Sequence, residues 1–224
     1  MGDVKGIVLS QGPTAALSGH VAGLDLVRRA LSSPLPTEAA EDGPAFVELW
    51  GAEATLRSLV ASWPFDARAW LVREHTPMVY ARTWPSGSPS PGVRMVSALH
   101  RHPEITRAAF EAHWLGPHTR VAKSYTVPVW HYNQNVVVEA LTEHDGEDGF
   151  VGMHFETRAQ FEARWADYPE EAARGAEDAA RFMDGSRSVS LLTQETVWER
   201  TESDEREVAE DDVAGDNGTR TPVD

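Results

Sequence analysis

Cysteine is absent from the 224-residue sequence. This absence excludes disulfide bonds, thiol catalysis, zinc sites built on cysteine and cysteine-ligated iron–sulfur clusters. Long apolar runs are also missing, since none approaches the ~18–20 residues of a membrane span. Polar residues interrupt the amino-terminal MGDVKGIVLSQG too soon for a secretory signal. We therefore predict a cytoplasmic protein with no membrane partner.

Basic residues are few relative to acidic ones. The 20 Lys and Arg stand against 35 Asp and Glu, which gives a formal net charge of −15. An acidic surface repels a phosphate backbone, so we expect no nucleic-acid partner. Nine of the acids fall within residues 201–224, where valine is the only large apolar residue type. Such a segment cannot bury enough surface to offset its ordering entropy, which predicts a disordered acidic tail.

Several motifs that carry chemistry are missing. The sequence has no G-x-G-x-x-G, no G-x-x-x-x-G-K-[ST] and no G-x-S-x-G. Nucleotide binding and serine-hydrolase chemistry therefore have no support. Nine histidines are present, but H-E-x-x-H does not occur, and the spacing of His100 and His102 is not diagnostic of a metal site. We expect neither a metal nor a cofactor.

A stretch rich in proline and serine, PSGSPSP at residues 85–91, is typical of a linker. It separates residues 1–84 from residues 92–200. The second half predicts the order βαββαβ, with helix starts marked by Thr106 and by a capping box that begins at Thr157. The first half repeats this order more weakly, since GPAFVELWGAEATLRSLVASWP resembles DGFVGMHFETRAQFEARWADYP. The similarity suggests a duplication, although two β-turn-helix units can also look alike by chance.

These features predict an α+β fold made of two tandem ferredoxin-like βαββαβ repeats. Each repeat has an antiparallel sheet with both helices on one face, which leaves the other face bare. Two sheets packed face to face, as in a fused dimeric α/β barrel, would cover both bare faces. We expect a cavity between the two sheets that binds a small apolar or aromatic ligand.

The segment FEAHWLGPHTRVAKS, residues 110–124, resembles the helix motif of EthD-domain proteins, in which an aromatic residue, a tryptophan and a downstream histidine recur. The HYNQN strand and the DGFVGMHF turn extend the resemblance over about residues 92–198. The resemblance implies a dimeric α/β-barrel fold and is compatible with a homodimer. Its superfamily includes cyclases, dehydratases and decarboxylases of aromatic polyketides, and cofactor-free oxygenases. The first half departs from the motif, because its candidate helix at residues 19–31 has no W-x-x-x-H.

His118 is the leading catalytic candidate. Gly116 and Pro117 predict a break or a kink in the helix, with Pro117 starting a new turn. In that first turn His118 would face the positive end of the helix dipole, which disfavours imidazolium and leaves a neutral imidazole as a general base. A hydrogen bond to a backbone carbonyl is the alternative role of such a histidine. His113 is a second candidate. It would point away from His118 on a straight helix, but a kink could change this.

The strand that follows supplies further candidates, because its alternate side chains face opposite sides. We expect the row of His131, Asn133 and Asn135 to face the cavity, since amides buried against helices would lack partners. The reverse orientation, with the row of Tyr132 facing the cavity, stays open. Tyr132 or Asn135 would stabilise an enolate oxygen. The candidate substrate-binding residues are Trp114, Trp130, His131, Asn133, Asn135 and His154.

The predicted function is that of a cofactor-independent lyase, dehydratase or cyclase acting on a small aromatic or polyketide-like carbonyl compound. His118 would remove a proton next to the carbonyl and later return a proton to a departing hydroxyl. Two other functions stay open. One is a non-catalytic carrier or accessory protein for a hydrophobic ligand, and the other is a cofactor-free oxygenase.

Overall fold

Eight antiparallel strands close into a barrel in the computed structural model, which describes residues 4–35 and 44–200. The first half contains β1 (Val4–Ser10), α1 (Thr14–Ala22), β2 (Arg28–Pro34), β3 (Ala45–Gly51), α2 (Glu53–Ala61) and β4 (Ala67–Met78). The second half contains β5 (Val93–Leu99), α3 (Arg107–His113), a π turn (Trp114–His118), α4 (Thr119–Lys123), β6 (His131–Ala140), β7 (Gly149–Phe155), α5 (Arg158–Ala166), α6 (Pro169–Ala179) and β8 (Val189–Glu199). The predicted tail at residues 201–224 lies outside the described residues.

The strands follow the order β1-β3-β2-β8-β5-β7-β6-β4 around the barrel. Each half contributes four neighbouring strands, and the halves are joined where β2 pairs with β8 and where β4 pairs with β6. The structure therefore combines helices with a closed antiparallel barrel, as the α+β prediction requires. The origin of the two halves as tandem ferredoxin-like repeats stays a prediction.

Apolar side chains form three clusters, because alternate residues of each strand point into the barrel or towards the helices. The inner cluster is built around strand residues such as Ile7, Trp70 and Phe150. One outer cluster joins the first-half strands to α1 and α2, and includes Leu17. The other outer cluster joins the second-half strands to their helices, and includes Phe110. The second-half sheet therefore borders two separate compartments.

Both predicted helix starts are present. The side chain of Thr106 accepts a hydrogen bond from the Ala109 amide at 3.2 Å, which caps α3. Thr157 forms a complete capping box with Gln160 at the start of α5. Each cap satisfies amide groups that have no partner within the helix, so the start of the helix is fixed locally.

The prediction of a helix over residues 19–31 is wrong. α1 ends at Ala22, and β2 already begins at Arg28. Arg29 lies on β2, and its Nε donates to the Val21 carbonyl at 2.8 Å at the end of α1. The second half of the apolar pattern therefore belongs to a strand that packs back on the helix.

The segment that was predicted as a linker, residues 85–91, runs along β8. The amide of Gly87 donates to the Val197 carbonyl at 2.9 Å, and the amide of Ser90 donates to the Glu195 carbonyl at 2.7 Å. The two halves are therefore connected by a segment that is itself bonded to the barrel wall.

Candidate active site

A cavity of about 430 Å³ lies between the outer face of the second-half sheet and the helices that cover it. Pockets for small molecules are typically ~300–1,000 Å³. We call this space the helix-side cavity. Its wall is mainly apolar and aromatic, and His118 is part of it together with Trp114, Val151, Trp165 and Phe182. The base candidate therefore faces an apolar space.

The π turn brings two histidines to one face of a continuous helix. Backbone angles stay helical from His113 through Thr119, so of the two predicted alternatives the break with a new turn at Pro117 is wrong, and a π turn is the distortion found there. The wider turn accommodates Pro117, whose ring would clash with the carbonyl four residues earlier in an α-helix. In a π-helix the backbone hydrogen bonds link residues five apart, which brings such residues into line. His113 and His118 are five apart and therefore point to the same side.

Asp178 of α6 bridges the two imidazoles. Its Oδ2 lies 2.8 Å from His118 Nδ1, and its Oδ1 lies 3.0 Å from His113 Nε2. Burial raises the pKa of Asp178, but the hydrogen bonds of His118 and His113 outweigh it and lower that pKa overall. The ionised carboxylate accepts, so His118 carries its proton on Nδ1. Its Nε2 has no hydrogen-bond partner among the residues that the structure describes, which leaves a lone pair for a ligand.

Burial keeps His118 neutral. Loss of hydration lowers the pKa of His118 below its ordinary value, and this effect outweighs the opposing hydrogen bond and charge of Asp178. The cause is therefore desolvation and not the helix dipole, because no new helix terminus exists at Pro117. A neutral imidazole backed by a carboxylate has the arrangement of a general base.

Tyr132 of β6 lies in the same cavity wall and is 1% exposed. Burial raises the pKa of its phenol far above the ordinary value, although the nearby side chains of Trp114 and Gln134 act in the opposite direction. The amide of Gln134 is fixed by Thr119, whose hydroxyl lies 3.0 Å from Gln134 Oε1, and by the Trp114 carbonyl, which accepts from Gln134 Nε2 at 3.0 Å. Tyr132 therefore keeps its proton and remains a hydrogen-bond donor in the cavity wall.

The polar row of β6 faces the inside of the barrel. Asn133 and Asn135 are buried there. This is the orientation that we expected, because amides buried against the helices would lack partners. The same alternation places Tyr132 on the outer face, towards His118. The prediction of a single cavity between the two sheets that contains all the candidates is therefore wrong. The cavity in front of His118 is made by the second half alone.

A second cavity, of about 510 Å³, opens at one end of the barrel and includes His131 and Asn133 in its wall. Its wall also contains buried charges. Glu48 lies 2.6 Å from Lys5 Nζ and also pairs with Arg94. Burial raises the pKa of Glu48, but Arg94 and Lys5 outweigh it and hold that pKa well below the ordinary value. Asn133 donates to Glu48 at 3.1 Å, so this amide stabilises an ion network.

Trp130 and His154 also lie outside the helix-side cavity. Trp130 precedes β6, so strand alternation does not set its side, and its ring stacks on Tyr80 with the centroids 4.6 Å apart. His154 bonds the Pro91 carbonyl through Nε2 at 2.8 Å. Of the predicted substrate-binding residues, Trp114 lines the helix-side cavity.

Sequence reasoning missed Asp178 and Arg164, which both lie at this site. Asp178 follows Gly175 by three residues and precedes Phe182 by four, so the three share one face of the helical segment. Arg164 follows Phe161 by three residues in the same way. In both cases the sequence shows a charged residue on a helix face that also carries an aromatic residue, and this pattern could have indicated a buried functional side chain.

Within residues 4–35 and 44–200, no three His, Asp or Glu side chains are grouped so as to hold a metal ion. No helix in this part of the chain is long and apolar enough to cross a bilayer.

Comparison with known proteins relates the chain to others by fold alone. No family model and no curated protein matches the sequence. The similar solved structures include an anthrone oxidase-like protein, with a TM-score of 0.63 and 12% identity, covering 88% of this chain and 93% of that chain. A chlorite dismutase from Candidatus Nitrospira defluvii has a TM-score of 0.50 and 12% identity, covering 86% of this chain and 91% of that chain. Both neighbours belong to the dimeric α/β-barrel superfamily, whereas membership of the EthD family is not shown.

Proposed function

We propose that the protein is an enzyme that removes a proton next to the carbonyl of a small aromatic or polyketide-like compound in the helix-side cavity. One observation carries the proposal: His118 is neutral, is backed by Asp178, and has a free Nε2 at an apolar cavity. The fold neighbours are themselves named as an oxidase-like protein and a dismutase, which supports an enzyme in general. The reaction that we favour is a dehydration or cyclisation of the lyase type.

In the proposed step, Nε2 of His118 takes the proton from the carbon next to the carbonyl. The electron pair of the broken C–H bond forms an enolate, whose oxygen accepts a hydrogen bond from Tyr132. Asp178 stabilises the imidazolium that results. The enolate then expels a hydroxyl from the next carbon, and this hydroxyl leaves as water after it takes the proton back from Nε2. The protein ends in its starting state.

Oxidation by O₂ is the second candidate. The neighbour with the TM-score of 0.63 is described as anthrone oxidase-like, and the proposed base would make from an aromatic ketone the electron-rich anion that such an oxidation needs. Oxygen uptake that depends on His118 would favour this reaction over dehydration. A carrier protein, the third candidate, would bind the same compounds and release them unchanged.

The test uses an α-tetralone with a hydroxyl on the carbon β to its carbonyl, which becomes fluorescent α-naphthol when it loses water. We expect the protein to accelerate α-naphthol formation, and His118→Asn to lower the rate by ~10²-fold, the scale of a lost general base. His75→Asn is the matched control, since His75 is exposed and lies outside the cavity. A His118→Asn variant that folds and stays within about threefold of the wild-type rate would remove His118 from the mechanism.

A further inference from the structure

The helix-side cavity has one permanently charged side chain in its wall. Arg164 of α5 is 1% exposed and lines the cavity, and no carboxylate belongs to the described lining residues. A buried cation is costly unless a counter-charge compensates it. The partners of Arg164 therefore decide what the cavity attracts.

Arg164 has backbone carbonyls and aromatic rings as partners. Its guanidinium donates to the Val127 carbonyl and, at 3.2 Å, to the Ala122 carbonyl. The ring of Tyr125 stacks against it, with the centroid 3.8 Å from Cζ. Its Nε–H has no acceptor among the described residues. None of these groups carries a full negative charge, so no carboxylate is hydrogen-bonded to Arg164 among the described residues.

The neighbouring carboxylates make their hydrogen bonds to other residues, although the charge of Glu171 also attracts Arg164. Glu171 bonds the amide of Thr126 at 2.8 Å and its hydroxyl at 2.6 Å. Asp178 bonds the two histidines described above. Burial lowers the pKa of Arg164 to about 10, which still leaves the guanidinium charged at neutral pH. An apolar wall strengthens the field of this charge, because less water screens it.

We propose that the helix-side cavity selects aromatic compounds that carry an anionic oxygen, either a carboxylate or an ionised enol or phenol, and that Arg164 determines this preference. The inference rests on the proposed function, because it assigns a substrate class to the same cavity. The aromatic wall binds the rings by stacking and burial, and the buried cation, which no carboxylate of the described residues hydrogen-bonds, distinguishes an anion from a neutral compound of the same shape. The same charge stabilises the enolate that His118 produces.

Binding of a matched pair of probes tests this inference without turnover. β-Naphthoate and β-naphthamide have nearly the same shape but differ in charge, and their binding can be followed by quenching of Trp114 and Trp165, which lie in the wall. We expect the wild-type protein to bind β-naphthoate about tenfold more tightly, which corresponds to about 1.4 kcal/mol. Equal affinities for the two probes in the wild-type protein would overturn the proposal, whether or not any variant folds.

Two substitutions identify the residue responsible. Arg164→Gln should abolish the preference for β-naphthoate while the affinity for β-naphthamide stays within about threefold, and Arg164→Lys should keep part of it. Arg158→Gln is the control, because Arg158 lies on the same helix, is 61% exposed and pairs with Glu162. If Arg164→Gln weakens both probes equally, Arg164 is only structural and the inference fails.

The outcome separates this inference from the proposed function. If His118→Asn leaves the preference for β-naphthoate intact but the wild-type protein forms no α-naphthol, the anion selectivity stands and the acid–base proposal fails. If α-naphthol forms with dependence on His118 but the wild-type protein does not prefer β-naphthoate, the acid–base proposal stands and the anion selectivity fails.

Discussion

The Nδ1 of His118 lies 2.8 Å from Oδ2 of Asp178, a carboxylate that α6 supplies 60 residues further along the chain. This bond fixes the tautomer of His118 and directs its free Nε2 away from the carboxylate. Two effects of opposite sign act on the imidazole. Burial lowers the pKa of His118, whereas Asp178 raises it. The bond can therefore be tested through the pH dependence of the reaction.

The first prediction concerns Asp178→Asn. Removing the carboxylate removes the effect that raises the pKa of His118, so this pKa should fall further. Because the base acts in its neutral form, the acid limb of kcat/KM for α-naphthol formation should move to lower pH. The plateau rate should fall by at least ~10-fold, since the imidazolium loses its stabilising partner and the tautomer is no longer fixed.

The control for this prediction is Glu177→Gln, one residue away on α6. Glu177 is 74% exposed and pairs with Arg181, so its substitution should change neither the limb nor the plateau. A pH–rate profile of Asp178→Asn that coincides with the wild-type profile would contradict the assigned role of Asp178.

The second prediction concerns the contact between β7 and the cavity wall. A Cβ added at Gly149 would lie 2.7 Å from Cη2 of Trp114, which is 1% exposed. Gly149→Ala should therefore displace the indole and destabilise the fold by ~1–3 kcal/mol, the usual cost of overpacking. Gly185→Ala, where a Cβ meets nothing within 4 Å, should stay within about 0.5 kcal/mol of wild type. Urea unfolding gives both values, and equal stabilities of the two variants would contradict the packing described for Trp114.

Local signals in the sequence predicted much of the fold. The caps at Thr106 and Thr157 are side-chain hydrogen bonds between near neighbours, so the residue types alone indicate where those helices begin. Strand alternation likewise predicts from the sequence that Asn133 and Tyr132 of β6 face opposite sides of the sheet. Such features depend on residues that are close in the chain.

The site itself depended on features that no short pattern encodes. The π turn that aligns His113 with His118 was missed because Gly116 and Pro117 fit an ordinary helix break equally well. Asp178 reaches the two histidines only through the packing of α6 on the helix that carries them. Packing also determines on which side of the second-half sheet His118 lies. The cavity predicted from the sequence therefore lay on the inner face of the sheet, whereas the structure has it on the helix side.

The last prediction concerns His131 at the mouth of the barrel. Burial, with a smaller contribution from Arg94, lowers the pKa of His131 to about 4 from 6.5 in the unfolded chain. As the pH falls below 6.5 the unfolded state takes up a proton first, so the folded state loses stability until about pH 4. The shift corresponds to a loss of up to ~3 kcal/mol at about 1.4 kcal/mol per pH unit.

His131→Phe tests this linkage, because it keeps an aromatic ring beside Tyr80, whose centroid lies 5.0 Å from that of His131. Unfolding by urea at about pH 7 and about pH 5 should show a smaller loss of stability in His131→Phe than in wild type. His75→Phe, at an exposed position, should keep the wild-type loss. Glu195 does not contribute to this difference. Its pKa is lowered from 4.5 to about 2 in the folded protein, so the stability that it supplies is lost only as the pH falls below 4.5. If His131→Phe loses as much stability as wild type between these two pH values, His131 is not the group that titrates.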